Sequence, residues 1–303
     1  VIVREDLGSV GYQTAQATHA AIDYCMMEQP TEWWKLSNRL VVLTVADEAK
    51  LFALYDQCMK LGRKAILFCE PDTGYQATSL AIEPSDVPGP DLGRLPLVGK
   101  RVAPEARQEV REALCKKMET ARQNDKQTIM AHGVSVKDRA FSIVSALSTG
   151  EHGIWSEVLP ESMLTGKFGQ YLLDHRHPAQ TIWNYTLFHD CGKPDCMVLD
   201  DDGRRHFPEH EKVSSQVWQD LGSGDEVRLM SLDMTLHRMK ADEFDSFIKS
   251  ANKQDICTLL LVSYAEIVAN ALDNDPLGLE SVSFKIKKKH LDRLTKKIER
   301  CYM

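Results

Sequence analysis

The stretch "LFHDCGKPDC", residues 187–196, sets a His beside an Asp at the end of an apolar run. Neutral imidazole and carboxylate are common ligands of a hydrolytic divalent ion, and such sites gather their ligands from several helices. The chain supplies further candidates in order: His152 in "HGIWSEV", His189 and Asp190, His210 in "FPEHEKVSS", then Asp233 and His237 in "SLDMTLHRM". Asp233 and His237 are spaced i, i+4, so one helix would carry both on one face. His175, His177 and His206 offer competing choices, and His-Asp-Cys-Gly also fits a plain helix C-terminus. Any single His on a helix is more often a surface or capped core residue. The ordered set is what points to a metal.

These side chains need helices to position them, and the periodicity provides them only in the second part of the chain. Residues 1–4, 39–46, 64–69 and 77–83 are short β-branched or apolar runs that predict strands. Between them, 11–28 and 47–62 have helical spacing, the second opening on Asp47 and stopping at Gly62. Alternation of this kind predicts a small α/β sandwich with a mixed sheet over residues 1–86. A stretch rich in Pro and Gly, 87–103, reads as a linker. From residue 104 to 303 strand patterns nearly vanish, which predicts an all-α domain.

With 303 residues and 43% apolar content, the chain has enough material for two cores. A net charge of −7 argues against a protein that coats nucleic acid without specificity. The charge is uneven, however: "KIKKKHLDRLTKKIER", residues 285–300, holds eight Lys and Arg against Asp292 and Glu299. That is either a solvated helix face or a local contact to a phosphate backbone. "EWWK", 32–35, offers either a stacking surface for bases or satellite core. Eight Cys without a CxxC pair suit reduced thiols, and no secretory leader or run of 18 apolar residues is visible. The expectation is a cytoplasmic protein with no membrane contact.

Two resemblances sharpen these readings. "LFHDCGKP…DDGRRHFPEHEKVS" and "DMTLH" resemble the HD superfamily of metal-dependent phosphohydrolases, in particular the HD domain attached to bacterial CCA-adding tRNA nucleotidyltransferases. The likeness spans roughly 135–275 and implies one or two divalent ions (Mn, Mg, Ni, Co or Zn). It implies that His152, His189 and Asp190 bind the first ion, and that His210 and His237 allow a second. Where that family pairs His with His, this chain has Asp233, and where it closes on Asp it has Glu266. An oxygen ligand at Asp233 shifts preference toward a harder ion such as Mn²⁺ or Mg²⁺. Asp190 and Lys193 are the expected catalytic pair, and Lys193, Arg204 and Arg205 the cations for substrate phosphate.

The opening "VIVREDLGSVGYQTAQATHAAIDY" resembles the type 2 peptidyl-tRNA hydrolase, with Gln16 and His19 at matching places and Asp72 and Thr73 in the later Asp-containing loop. That family's motif Lys is Tyr12 here, and a missing cation removes one means of stabilising charge at an ester. Arg4 and Lys64 are the available substitutes. Both resemblances point to tRNA metabolism, so the leading expectation is a metal-dependent phosphohydrolase acting on RNA ends, with tRNA as partner and a 2′,3′-cyclic or terminal phosphate as target. The alternatives are a peptidyl-tRNA hydrolase, an HD phosphohydrolase for free nucleotides, and a binding protein that captures tRNA or a nuclease.

Overall fold

The computed structural model of the chain describes residues 1–7, 9–27, 40–83, a few positions between 90 and 98, 108–219, 221–240 and 242–303. Most of the expected linker and the "EWWK" segment lie outside the described residues. Two compact units divide the chain, residues 1–112 and 113–303. The division therefore falls after the linker stretch rather than within it.

In the first unit, β1 (Ile2–Arg4), α1 (Val10–Met27), β2 (Leu43–Val45), α2 (Glu48–Lys60), β3 (Ala65–Glu70) and β4 (Gln76–Ile82) follow the expected alternation. The sheet is mixed, in the order β2-β1-β4-β3: β1 runs parallel to β2, while β4 is antiparallel to both β1 and β3. Parallel pairing of β1 and β2 needs a crossover, which α1 supplies. Helix α1 buries Gln13, Gln16, Ala17 and Ala20, one stripe at helical spacing. Helix α2 starts where Asp47 accepts from the Lys50 amide and ends before Gly62 at φ +64°. Strand β4 is buried without a break from Ala77 to Ala81, so both of its faces are covered.

Helix α3 (Gln108–Thr120) contains the division. The second unit continues with α4 (Ile129–Thr149), α5 (Trp155–Val158), α6 (Glu161–Leu164), α7 (Lys167–His175), α8 (Ala179–Phe188) and α9 (Lys193–Cys196). A hairpin of β5 (Val198–Leu199) and β6 (Arg205–His206) interrupts the helices, a small departure from an all-α domain. Then come α10 (His210–Trp218), α11 (Gly224–Leu232), α12 (Thr235–Arg238), α13 (Phe244–Ser250), α14 (Lys253–Asn274) and α15 (Val282–Tyr302). Helix α14 has the length and apolarity of a membrane span, but most of it is buried within the unit, as in a core helix.

Two glycines set the close approaches that matter for the site. A Cβ on Gly133 of α4 would stand 2.2 Å from the Leu187 carbonyl oxygen of α8, and one on Gly192 would stand 2.3 Å from the Ser214 amide of α10. Only a residue without Cβ lets these backbones meet. Gly192 has φ −83°, so it is there for proximity and not for a left-handed helix stop.

Candidate metal centre

Helix α8 ends at His189, whose backbone is still helical, and Asp190 follows in the turn. Both side chains are buried, each 1% exposed. His189 Nδ1 lies 2.8 Å from the Thr186 carbonyl oxygen, which can only accept, so Nδ1 carries the proton. In a neutral ring, Nε2 then offers its lone pair, and it stands 3.3 Å from Asp190 Oδ2. His210, at the start of α10, repeats the device: Nδ1 bonds the Phe207 carbonyl oxygen at 3.0 Å, and Nε2 faces Asp190 Oδ1 at 3.4 Å.

The third imidazole is His132, which the sequence analysis does not single out. It lies in the first turn of α4, 1% exposed, with its ring centroid 5.4 Å from that of His189 and its Nε2 3.8 Å from Asp190 Oδ2. Ligand atoms of His132, His189 and Glu266 all lie within 4.8 Å of one another. His152 takes no part in this group. It follows the C-terminus of α4, while His132 sits at the other end, so the helix between them spans about 25 Å at 1.5 Å per residue. The signals that could have found His132 are its burial among apolar neighbours in "TIMAHGVSV" and the small residue beside it.

Glu266, midway along α14, accepts from His237 Nε2 at 3.0 Å. Asp233 accepts from the Tyr185 hydroxyl at 2.6 Å. Asp233 caps the end of α11 and His237 belongs to the separate short helix α12, so their spacing does not reflect one continuous helix. Lys193 is buried and donates to Asp190 Oδ2 at 2.6 Å and to Gln123 Oε1 at 3.2 Å. It steadies the Asp190 carboxylate instead of presenting a free charge. Arg205 is tied to Asp125 at 2.9 Å, and the exposed Arg204 lies 3.7 Å from Asp202, so both ion pairs are made outside the cluster.

The electrostatics favour a cation at this place. Burial opposes a charged His189, but the carboxylates of Asp190, Asp233 and Glu266 outweigh it and lift the imidazole to about 10. Burial, with the neighbouring His189 and Lys193, pushes His132 down to about 4 against the pull of Asp190, leaving it neutral. Asp190 is held well below the carboxylate range, because His189 and Lys193 overcome the cost of burying it. Asp233 is raised by burial and by the charges of Glu266 and Asp190, against the opposing pull of His189.

Both ring nitrogens of His132, Nε2 of His189, Oδ1 of Asp190 and Oδ2 of Asp233 are buried and have no hydrogen-bond partner. Buried polar atoms nearly always find partners, and a cation here could take the single lone pair of the neutral His132 ring, replace the Nε2 proton of His189 and balance the Asp190 and Asp233 oxygens. A divalent cation does so, and N/O donors suit one. The donor set of His132, His189, Asp190 and Asp233 suits such an ion.

The first unit holds its own small cluster. The Gln16 side chain, buried, donates to Glu70 Oε2 at 2.5 Å and accepts from Thr78 Oγ1 at 2.8 Å. His19 Nδ1 lies 3.6 Å from the same Glu70 oxygen, with its ring 5.0 Å from that of Phe68. Tyr12 is half-buried, and burial together with the charges of Glu70 and Asp72 raises its phenol. Asp72 and Thr73 lie in the short 3₁₀ turn Pro71–Thr73 that follows Glu70, with Asp72 exposed. Glu70 is the member absent from the sequence-level candidates. Of the substitute cations, Arg4 is committed to Asp6, Gln76 and the Ala77 carbonyl. Lys64 precedes the opposite end of β3, about 20 Å from Glu70 along the strand.

Residues 1–88 match the family model for the peptidyl-tRNA hydrolase PTH2, so the first unit carries a domain of that hydrolase family. The match covers under a third of the chain and ends before the helical unit. No curated protein and no solved structure matches the chain.

Proposed function

We propose that the helical unit is a metal-dependent phosphohydrolase of the HD type acting on RNA ends, with the first unit supplying affinity for tRNA. One observation carries the reading: buried, unpartnered donor atoms of His132, His189 and Asp190 converge, with Glu266 beside them. His132, His189, Asp190 and Glu266 would hold one divalent ion, and His210, beside Asp190, and His237, bonded to Glu266, would be available to a second. Bound there, such an ion supplies Lewis-acid polarisation of a phosphoryl oxygen and acidifies a water for attack.

The chain's own residues do the positioning. The Thr186 and Phe207 carbonyl oxygens fix which nitrogen of His189 and of His210 carries its proton, and Lys193 keeps Asp190 ionised. Burial of the cluster keeps competing water out and strengthens every charge inside it. Support for RNA as the substrate comes from the tRNA-related hydrolase domain in the same chain. The test is phosphate release from tRNA bearing a 3′-phosphate, or opening of a 2′,3′-cyclic end to a terminal monophosphate, with divalent metal added. Release by the native chain that is lost in the double variant His189→Ala/Asp190→Ala is expected. Full release by the double variant contradicts the reading.

A second reading, ester cleavage of peptidyl-tRNA by the first unit, is favoured by the PTH2 match. Cleavage of peptidyl-tRNA that survives loss of His189 and Asp190 would assign that activity to the first unit.

A further inference from the structure

Beside the candidate metal centre, a cavity of about 410 Å³ opens among α12, α14 and α15. His237 and Glu266 line it from the cluster side, Ile267 and Ile286 form apolar walls, and Lys287 and His290 come from the basic C-terminal helix. The volume lies in the usual range for a small-molecule pocket. The phosphohydrolase reading gives Lys287 and His290 no role.

Packing fixes which part of the basic helix faces this space. Phe284, Leu291, Leu294 and Ile298 are buried along one stripe, and Tyr264 of α14 donates to Asp292 at 2.9 Å. With α15 held in that rotation, Ile286, Lys287 and His290 reach the cavity, the last two one turn apart. His290 Nε2 donates to the Leu236 carbonyl oxygen at 2.9 Å, which pins the ring against α12. The other cations nearby are committed: Lys285 to Glu280, Lys288 to Asp292 and Arg238 to Glu211. Among the described residues, Lys287 has no ion pair.

An ammonium without a counter-ion among the described residues, lining a pocket together with a half-buried Glu–His pair, suits an anionic ligand whose charge it can complete. Lys is a point-charge binder of phosphate, and apolar walls on either side suit the faces of a ribose or base. We propose that this cavity seats the phosphorylated terminal nucleotide of the substrate, with Lys287 on a phosphate and Ile267 and Ile286 flanking the sugar or base. The chemistry of that phosphate rests on the phosphohydrolase reading; the binding does not.

The test is calorimetric titration of the full chain, with Mn²⁺ present, using adenosine 3′-monophosphate and a short RNA oligonucleotide carrying a 3′-phosphate. Lys287→Glu should weaken the mononucleotide by about tenfold or more, a loss of about 1.4 kcal/mol. Lys296→Glu makes the same charge change nine residues on, on the opposite helix face, and should leave mononucleotide affinity unchanged. Tighter binding of the oligonucleotide identifies an RNA end as the source of the nucleotide, and equal binding identifies a free nucleotide; both keep the pocket. Wild-type affinity in Lys287→Glu, or no binding of the mononucleotide by the native chain, overturns the proposal. If the chain binds no metal but Lys287→Glu still loses the nucleotide, the pocket stands and the phosphohydrolase reading falls. If metal is bound and Lys287→Glu changes nothing, the reverse holds.

Discussion

His132 and His189 face each other across the contact of α4 and α8, ring centroids 5.4 Å apart, and Gly133 is what lets the two helices come that close. The pairing of an imidazole with a neighbouring glycine explains how a buried cluster of polar groups is assembled inside an apolar helical unit. It also makes the cluster sensitive to changes that touch no ligand.

Gly133→Ala should therefore act on both stability and metal content. Its new methyl meets the Leu187 carbonyl oxygen at 2.2 Å, so the helices must separate, at a cost of about 1–3 kcal/mol. A lowered melting temperature together with reduced metal per chain is the expected outcome. An unchanged melting curve would show that the approach is not tight.

Lys193→Met removes the cation that donates to Asp190 Oδ2 and leaves a buried carboxylate short of a partner. The loss should be about 1–3 kcal/mol when metal is chelated, and smaller when metal is added, because a bound cation compensates the same charge. Melting curves with and without chelator read the difference. An equal loss in both would separate Lys193 from the metal.

How much of this was legible in the sequence varies with the physics of each element. The first unit was readable because its signals are local: Asp47 and Gly62 bracket α2, and apolar runs of strand length bracket each helix. His189 and Asp190 were legible because two ligand types stand together before a glycine. His132 was not, because a lone His on an apolar helix looks like core until the partner helix is in place. His152 stands apart from the cluster, since α4 carries the chain away from it before reaching that residue. The spacing of Asp233 and His237 suggested one helix, whereas the chain turns at Met234 between two short ones. Glu70 was hidden because it ends a strand, and only the fold brings it to Gln16 and His19.

The network of His177, Asp255 and Arg228 gives a prediction in pH. Asp255 is 1% exposed, contacts His177 Nε2 at 2.8 Å and accepts from Arg228 Nε at 2.6 Å. Burial would raise its carboxyl, but hydrogen bonds from His177 and Arg228 prevail and hold it below the ordinary value. In that window the unfolded chain binds the extra proton, so this contribution is complete above about pH 4 and fades as pH falls through the lower folded value. Asp255→Asn should cost about 2 kcal/mol at pH 7, reduced from a fully buried pair because Arg228 is 40% exposed. The gap between variant and native chain should narrow below pH 4. A gap that stays constant from pH 7 to pH 3 would refute the assignment.

Tyr12→Lys tests why the first unit departs from the motif its sequence resembles. A lysine at this half-buried place would enter the field of Glu70 and Asp72 and supply a cation for charge developing at an ester. Cleavage of peptidyl-tRNA should rise by about tenfold or more over the native chain, within the range one electrostatic contact supplies. No gain would mean that Glu70, Gln16 and His19 serve binding alone.

The orphaned donor atoms around His132 and His189 are proposed to hold a divalent ion. Elemental analysis of the purified chain, beside His132→Ala and His152→Ala, tests it most directly. At least one divalent metal ion per chain is expected in the native protein and in His152→Ala, and its loss in His132→Ala. Metal retained in full by His132→Ala, or none in the native chain after growth with Mg²⁺, Mn²⁺, Ni²⁺, Co²⁺ and Zn²⁺, would contradict it.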